Sequence, residues 1–198
     1  MIALANCFPY IKTTMRLPYV PDPPPTNTPE EAEILARVQA RRAPNDLLPL
    51  DRALLHSFPV ADGWNSFIGA IRTRTSLSTV VRELAICRVA VINGAWFEWE
   101  QHAPLLRGGG LSEDAMHVVR DTRRDMGTVD EGLLSRAYKA VLRYTDAMTR
   151  DVSVPEGVFQ EVKELFDERE VVEITATVAA YNCVSRFLVA LNVGEKND

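Results

Sequence analysis

The sequence predicts an all-α protein, and three observations carry that reading. Apolar residues recur at helical spacing through most of the chain, as at Trp64, Phe67, Ile68 and Ile71. Helix starts are written as a small polar residue before an acidic first turn, as in Thr28-Pro29-Glu30-Glu31 and Ser112-Glu113-Asp114. No segment alternates with the period of two that a half-buried strand requires. The β-branched stretch VVEITATV, residues 171–178, runs on into a long apolar segment without turn residues, which favours helix.

The elements follow in order. Residues 1–27 form a proline-rich arm that should be extended and lie on the surface, and residues 28–198 form one helical domain without an internal repeat. The first residues are weakly apolar but lack the basic start of a signal peptide. They are either a flexible extension or a prelude to an ordered start at Met15. Thr28 caps a helix over residues 29–41, with Pro29 at its first position and Glu31 completing a capping box. LLPLDRALLHS is a short helix ended by Pro59, and ADGWNSFIGAIRTR is the next. STVVRELAICRVAVI is apolar on nearly every side and predicts a central helix, with Asn93 closing it or capping its successor. That successor runs from near Ala95 to about Arg107, where RGGG stops it. Ser112 caps another helix. DEGLLSRAYKAVLRYTDAMTR is amphipathic. SVPEGVFQEVKELFDE has capping-box spacing from Ser153 to Glu156, and a long last helix ends at Gly194.

Bulk properties narrow the function. The 198 residues are 46% apolar and 25% charged with a net charge of −5, a composition that can bury a full core and lacks the basic field of a nucleic-acid or acidic-membrane binder. The apolar runs read as too short and too interrupted by charge to span a bilayer. Cys7, Cys87 and Cys183 stand far apart, with no CxxC pair and no zinc spacing. A reduced, cytoplasmic setting without a metal or cofactor is the expectation.

The chemistry concentrates in VINGAWFEWEQHAPLL, residues 91–106, and in the helix before it. Glu83 shares its face of the central helix with Ile86, Cys87 and Ala90, while Arg82 and Arg88 fall more than a quarter-turn away. A carboxylate on an apolar stripe must be neutral, hydrogen-bonded or facing a pocket. On the next helix Glu98 and His102 are spaced i,i+4 and can touch, whereas Glu100 points to the opposite, solvated side. A nearby carboxylate raises the pKa of an imidazole and burial lowers it, which tunes His102 towards neutrality and general acid–base work. Trp64, Trp96 and Trp99 read first as packing residues. Cys87 and Cys183 read as inert small hydrophobes.

The segment RELAICRVAVINGAWFEWEQHAPLLRGGGLSEDAM resembles the carboxymuconolactone decarboxylase family, which includes the alkyl hydroperoxidase D branch. Weaker similarity continues in AAYNCVSRFLVALNV. The resemblance implies the AhpD-like helical fold, a homo-oligomer (trimer or hexamer) and a small-molecule substrate. In the peroxidase branch a CxxC pair opens the second helix, and its two cysteines map here to Ala95 and Glu98. Both thiols are missing, so the resemblance points to the decarboxylase side. On that side His102 is the expected proton donor or base, oriented by Glu98, with Glu83 a second acid–base group or anchor. Trp64 and Trp99 would contact the substrate, and Arg88 or Arg186 would bind a substrate carboxylate. The expected function is a cofactor-independent lyase or isomerase acting on a carboxylated lactone or polyketide-like compound, with secondary metabolism a possible setting. A non-catalytic oligomeric binding protein of the same fold and a thiol peroxidase are the alternatives.

Overall fold

A computed structural model describes residues 14–196 of the chain. Nine α-helices make up the described part, with no strand among the described residues. They are α1 (Pro29–Arg42), α2 (Pro49–Leu54), α3 (Phe58–Thr73), α4 (Thr79–Ile92), α5 (Trp96–Gly108), α6 (Glu113–Arg120), α7 (Arg136–Arg150), α8 (Glu156–Leu165) and α9 (Glu168–Leu191). The all-α expectation holds.

The middle of the fold is α4, which packs against α5, α6, α7 and α9. Its all-round apolar sequence explains that position: every residue from Leu84 to Ala90 is buried, Arg88 included. Ser78 caps it, accepting from the Val81 N–H at 3.2 Å. Asn93 closes it, and the Asn93 side chain donates to Asn182 of α9 at 3.1 Å. Gly94, at φ 66°, then reverses the chain into α5 in a left-handed conformation that costs glycine nothing. α1 and α3 pair as an outer layer, and α3 also lies on α9.

Several boundaries differ from the sequence reading, each for a local reason. Thr28 does cap α1, but Glu31 turns back to the N–H of Asn27 at 2.6 Å, so no capping box closes on Thr28. Pro59 lies in the first turn of α3 rather than ending α2. The predicted start of α7 is five residues or more too early, because the Asp130 carboxylate takes the Gly132 N–H at 2.7 Å and holds a turn there; Ser135 is the cap. Glu156 opens α8 after Pro155, and its side chain takes Gln160 instead of reaching back to Ser153. The unforeseen capping box is at α9, between Asp167 and Glu170.

α9 is 24 residues long and, by length and composition, apolar enough to cross a membrane, which corrects the expectation that no run qualifies. Half of its apolar window is buried within the protein, as in the core helix of a folded domain. The described part of the arm is tied down by polar contacts at the end of this helix: Arg16 N–H donates to the Leu191 carbonyl at 3.0 Å, and Tyr19 Oη accepts from the Gly194 N–H at 2.9 Å. Gly194 itself has φ 79°, and a Cβ there would lie 2.1 Å from the Phe97 ring, so only glycine fits.

Candidate functional site

α4 and α5, joined by the Gly94 turn, bring Glu83 and His102 together. His102 Nδ1 lies 2.6 Å from Glu83 Oε2, and the two are only 5% and 1% exposed. Arg82 reaches over its neighbour to donate to Glu83 Oε1 at 3.2 Å, a contact the helical-wheel argument had discounted. That argument placed the Cα positions correctly but ignored the reach of an arginine side chain. On the far side the His102 ring meets the edge of Tyr181 from α9, at 5.0 Å between centroids and 85° between planes.

Glu98, 2% exposed, makes no hydrogen bond to His102 despite the i,i+4 spacing. Its carboxyl accepts instead from Ser185 Oγ of α9, at 3.0 and 3.1 Å. The expected partnership is therefore exchanged: Glu83 orients the imidazole, and Glu98 stands separately on the same helix.

The two carboxyls are pushed in opposite directions. Burial pushes Glu98 well above the usual carboxylate range, against a smaller opposing effect of the Ser185 hydrogen bond. Burial works on Glu83 in the same sense, but the hydrogen bond and charge of His102, with Arg82 and Arg72, together hold it below the usual range. Burial keeps His102 below its ordinary value, and Glu83 only partly offsets this. The consistent protonation state has ionised Glu83, neutral His102 with its proton on Nδ1, and neutral Glu98. In that state Nε2 of His102 carries a lone pair and meets no described protein partner.

His102, Glu98 and Tyr181 line a cavity of about 70 Å³. Its walls are Trp64 and Ile68 of α3, Phe97 of α5, Val184 and Leu188 of α9, and Leu48 and Leu50 around α2. Gln101, Arg41, Arg42 and Arg72 add polar groups. The Trp64 indole N–H is buried without an acceptor. Tyr181 is buried, which pushes its hydroxyl pKa up and keeps it a neutral donor.

The remaining predicted binding residues lie elsewhere. Arg88 is wholly buried and fully engaged, with Asp146 at 2.5 and 2.6 Å and the carbonyls of Val119 and Asp121 at 2.9 and 3.0 Å. It is an internal strut joining α4, α6 and α7, not a cavity residue. Arg186 is exposed and folds back on Asn182 of its own helix. Trp99 is half-buried outside the cavity, with the Arg120 guanidinium 6.0 Å from its ring. Of the predicted contact residues the cavity receives Trp64 alone.

Sequence reasoning missed Tyr181, Ser185 and Arg72. The first two stand four residues apart in YNCVS, a polar pair in an apolar helix, and that was the available signal. Among the described residues no three His, Cys, Asp or Glu side chains cluster as metal ligands. Cys87 is buried, and burial, with Glu83 and Glu98 nearby, pushes its thiol up and away from thiolate chemistry.

The helices and their order form an AhpD-like fold. A protein of unknown function from Agrobacterium tumefaciens, named for the antioxidant defence protein AhpD, is 22% identical with a TM-score of 0.60, over 69% of this chain and 90% of that one. An uncharacterised peroxidase-related protein from Silicibacter sp. TM1040 is 15% identical with a TM-score of 0.70, over 92% of this chain and 94% of that one. At these identities the likeness is one of fold. No curated protein matches the chain. Residues 59–142, the stretch that carries Glu83, Glu98 and His102, match the model of the carboxymuconolactone decarboxylase family.

Proposed function

We propose that this protein is a lyase or isomerase that moves a proton on a small carboxylated lactone or polyketide-like compound, with the acid and the base both supplied by side chains. The observation that carries the reading is a buried imidazole, hydrogen-bonded through Nδ1 to Glu83 at 2.6 Å, that lines one cavity together with the Glu98 carboxyl. Glu83 is held ionised behind His102, and Glu98 is held neutral on the same helix, lining the same cavity as His102.

The chemistry follows from those states. Nε2 of His102 takes a proton from an acidic carbon, and ionised Glu83 stabilises the imidazolium that results. The electron pair left on carbon passes into the adjacent carbonyl as an enolate. The Glu98 carboxyl and the Tyr181 hydroxyl donate towards that oxygen. Return of the proton from Nε2 to a different carbon completes an isomerisation. In the decarboxylating variant the bond to the substrate carboxylate breaks, carbon dioxide leaves, and the same enolate is protonated at carbon by Glu98, which solvent at the mouth recharges. The apolar walls exclude water and strengthen each of these contacts.

Thiol-based peroxide reduction is the weaker reading, because Ala95 and Glu98 occupy the positions of the two thiols and Cys87 is buried with a raised pKa. The test uses purified protein and His102→Asn with a panel of carboxylated lactones and β-keto esters in deuterated buffer, read by proton NMR. Deuterium uptake or loss of carbon dioxide is expected for at least one compound, slower by about 100-fold or more in the variant. A panel left untouched by the wild type, or turned over equally by the variant, would refute the proposal.

A further inference from the structure

Three arginines line the cavity, and a fourth, Arg82, joins them in the depression beside it. Arg41, Arg42 and Arg72 line the cavity on one side, and the same three also line this second depression of about 350 Å³, together with Thr73, Thr79, Arg82 and Glu83. Those arginines are a shared wall, with His102 and Glu98 on the inner side and Glu83 on the outer.

The acids present do not match them. Arg42 is engaged by buried Asp51 through two hydrogen bonds of 2.7 and 2.8 Å, and Arg41 stands 3.5 Å from the same carboxylate while also donating to Asn65. Arg82 donates to Glu83, whose other oxygen is taken by His102. Two carboxylates thus face four guanidinium groups. Arg72, half-buried near the end of α3, makes no hydrogen bond or ion pair with any described residue. The first turn of α4, at Thr79, adds the positive end of a helix dipole to the outer depression. Arg41 is pulled below its ordinary value by burial and then by the charge of Arg42, and Arg72 presses in the same direction. A crowd of half-desolvated cations with one member unpaired is unfavourable until an anion enters.

We propose that Arg72, flanked by Arg41 and Arg82, is the binding site for a carboxylate of the ligand whose apolar body fills the inner cavity. A planar carboxylate matches the fork of a free guanidinium, and Trp64, Ile68 and Phe97 offer the body an apolar bed. This rests on the reading of the inner cavity as a substrate site and adds the group that orients the substrate there. It also relocates the anion contact from Arg88 and Arg186, which are turned away.

The test is a binding measurement without turnover. Benzoate and its neutral isostere benzamide are titrated calorimetrically into wild type, Arg72→Gln, Arg72→Lys and the remote surface variant Arg150→Gln, each checked for folding by its melting curve. Wild type and Arg150→Gln are expected to favour benzoate over benzamide by about tenfold or more. Arg72→Gln loses that preference without weakening benzamide, and Arg72→Lys keeps part of it. Equal binding of the two probes by wild type, or an undiminished preference in Arg72→Gln, overturns the proposal. His102→Asn separates the two readings. It keeps the preference for benzoate even if the protein moves no proton at carbon.

Discussion

Glu83 and Arg88 are both buried ionic residues of α4, five positions apart, and they are used in opposite ways. At 100° per residue they face different sides of the helix. Arg88 looks towards α6 and α7 and spends its donors on Asp146 and two carbonyls. Glu83 looks towards α5 and holds an imidazole whose second nitrogen is left open beside a cavity. A closed set of partners makes a strut, and a set left open by one position makes a reactive group. Charge in an apolar helix signals that a partner exists, and only the completeness of the partnership separates the two cases.

The comparison can be broken most forcefully at the strut. Asp146→Ala leaves a wholly buried guanidinium without its counter-ion, and we expect a loss of about 3–5 kcal/mol in chemical denaturation. The pH profile of any turnover that survives should be unchanged, because Asp146 does not line the cavity. A shift in that profile would mean the two sides of α4 are coupled.

Glu83→Gln tests the open side. The isosteric amide fills the same space but no longer stabilises a charge on His102, so the imidazolium becomes harder to form. Turnover is expected to fall by about tenfold to a hundredfold, and the acidic limb of the rate profile, set by His102 as the base, to move to lower pH. A rate equal to wild type would leave Glu83 a packing residue.

Glu98→Gln should give the smallest effect on stability and the most specific one. The folded state holds Glu98 neutral with a raised pKa, so the unfolded chain releases that proton first. Stability from this group is complete below the ordinary carboxylate pKa and is lost as pH rises from there towards the elevated folded value. His102 has the opposite dependence, since its folded pKa is lowered: stability is lost as pH falls below the ordinary histidine value. Glu98→Gln should therefore melt above wild type at pH 8, with the gap closing at pH 4. A gap independent of pH would place an ionised carboxylate at residue 98.

Much of this was legible beforehand. The helix-period pattern, the capping residues at Thr28 and Ser112, and the apolar surroundings of Glu83, Glu98 and His102 are local properties that the sequence displays directly. The pairing among the three was not legible. Spacing permits Glu98 to meet His102, but the approach of α4 brings Glu83 there, and α9 offers Ser185 to Glu98. Arg72 was invisible for a further reason, because its signal is the lack of a counter-charge among groups that come together only on folding. Arg88 misled because a buried arginine in three dimensions reads in the sequence like any other arginine beside a site.

The contact of Gly194 with Phe97 links three stretches that are remote in sequence. Tyr19 of the arm grips the backbone of Gly194, and Gly194 leaves no room for a side chain beside the Phe97 ring that lines the cavity. The pocket is thus underpinned from outside by the chain's two tails, clasped to one another. Its floor is set by parts of the chain that carry no reacting group, and a methyl group added at residue 194 would be felt where the ligand lies.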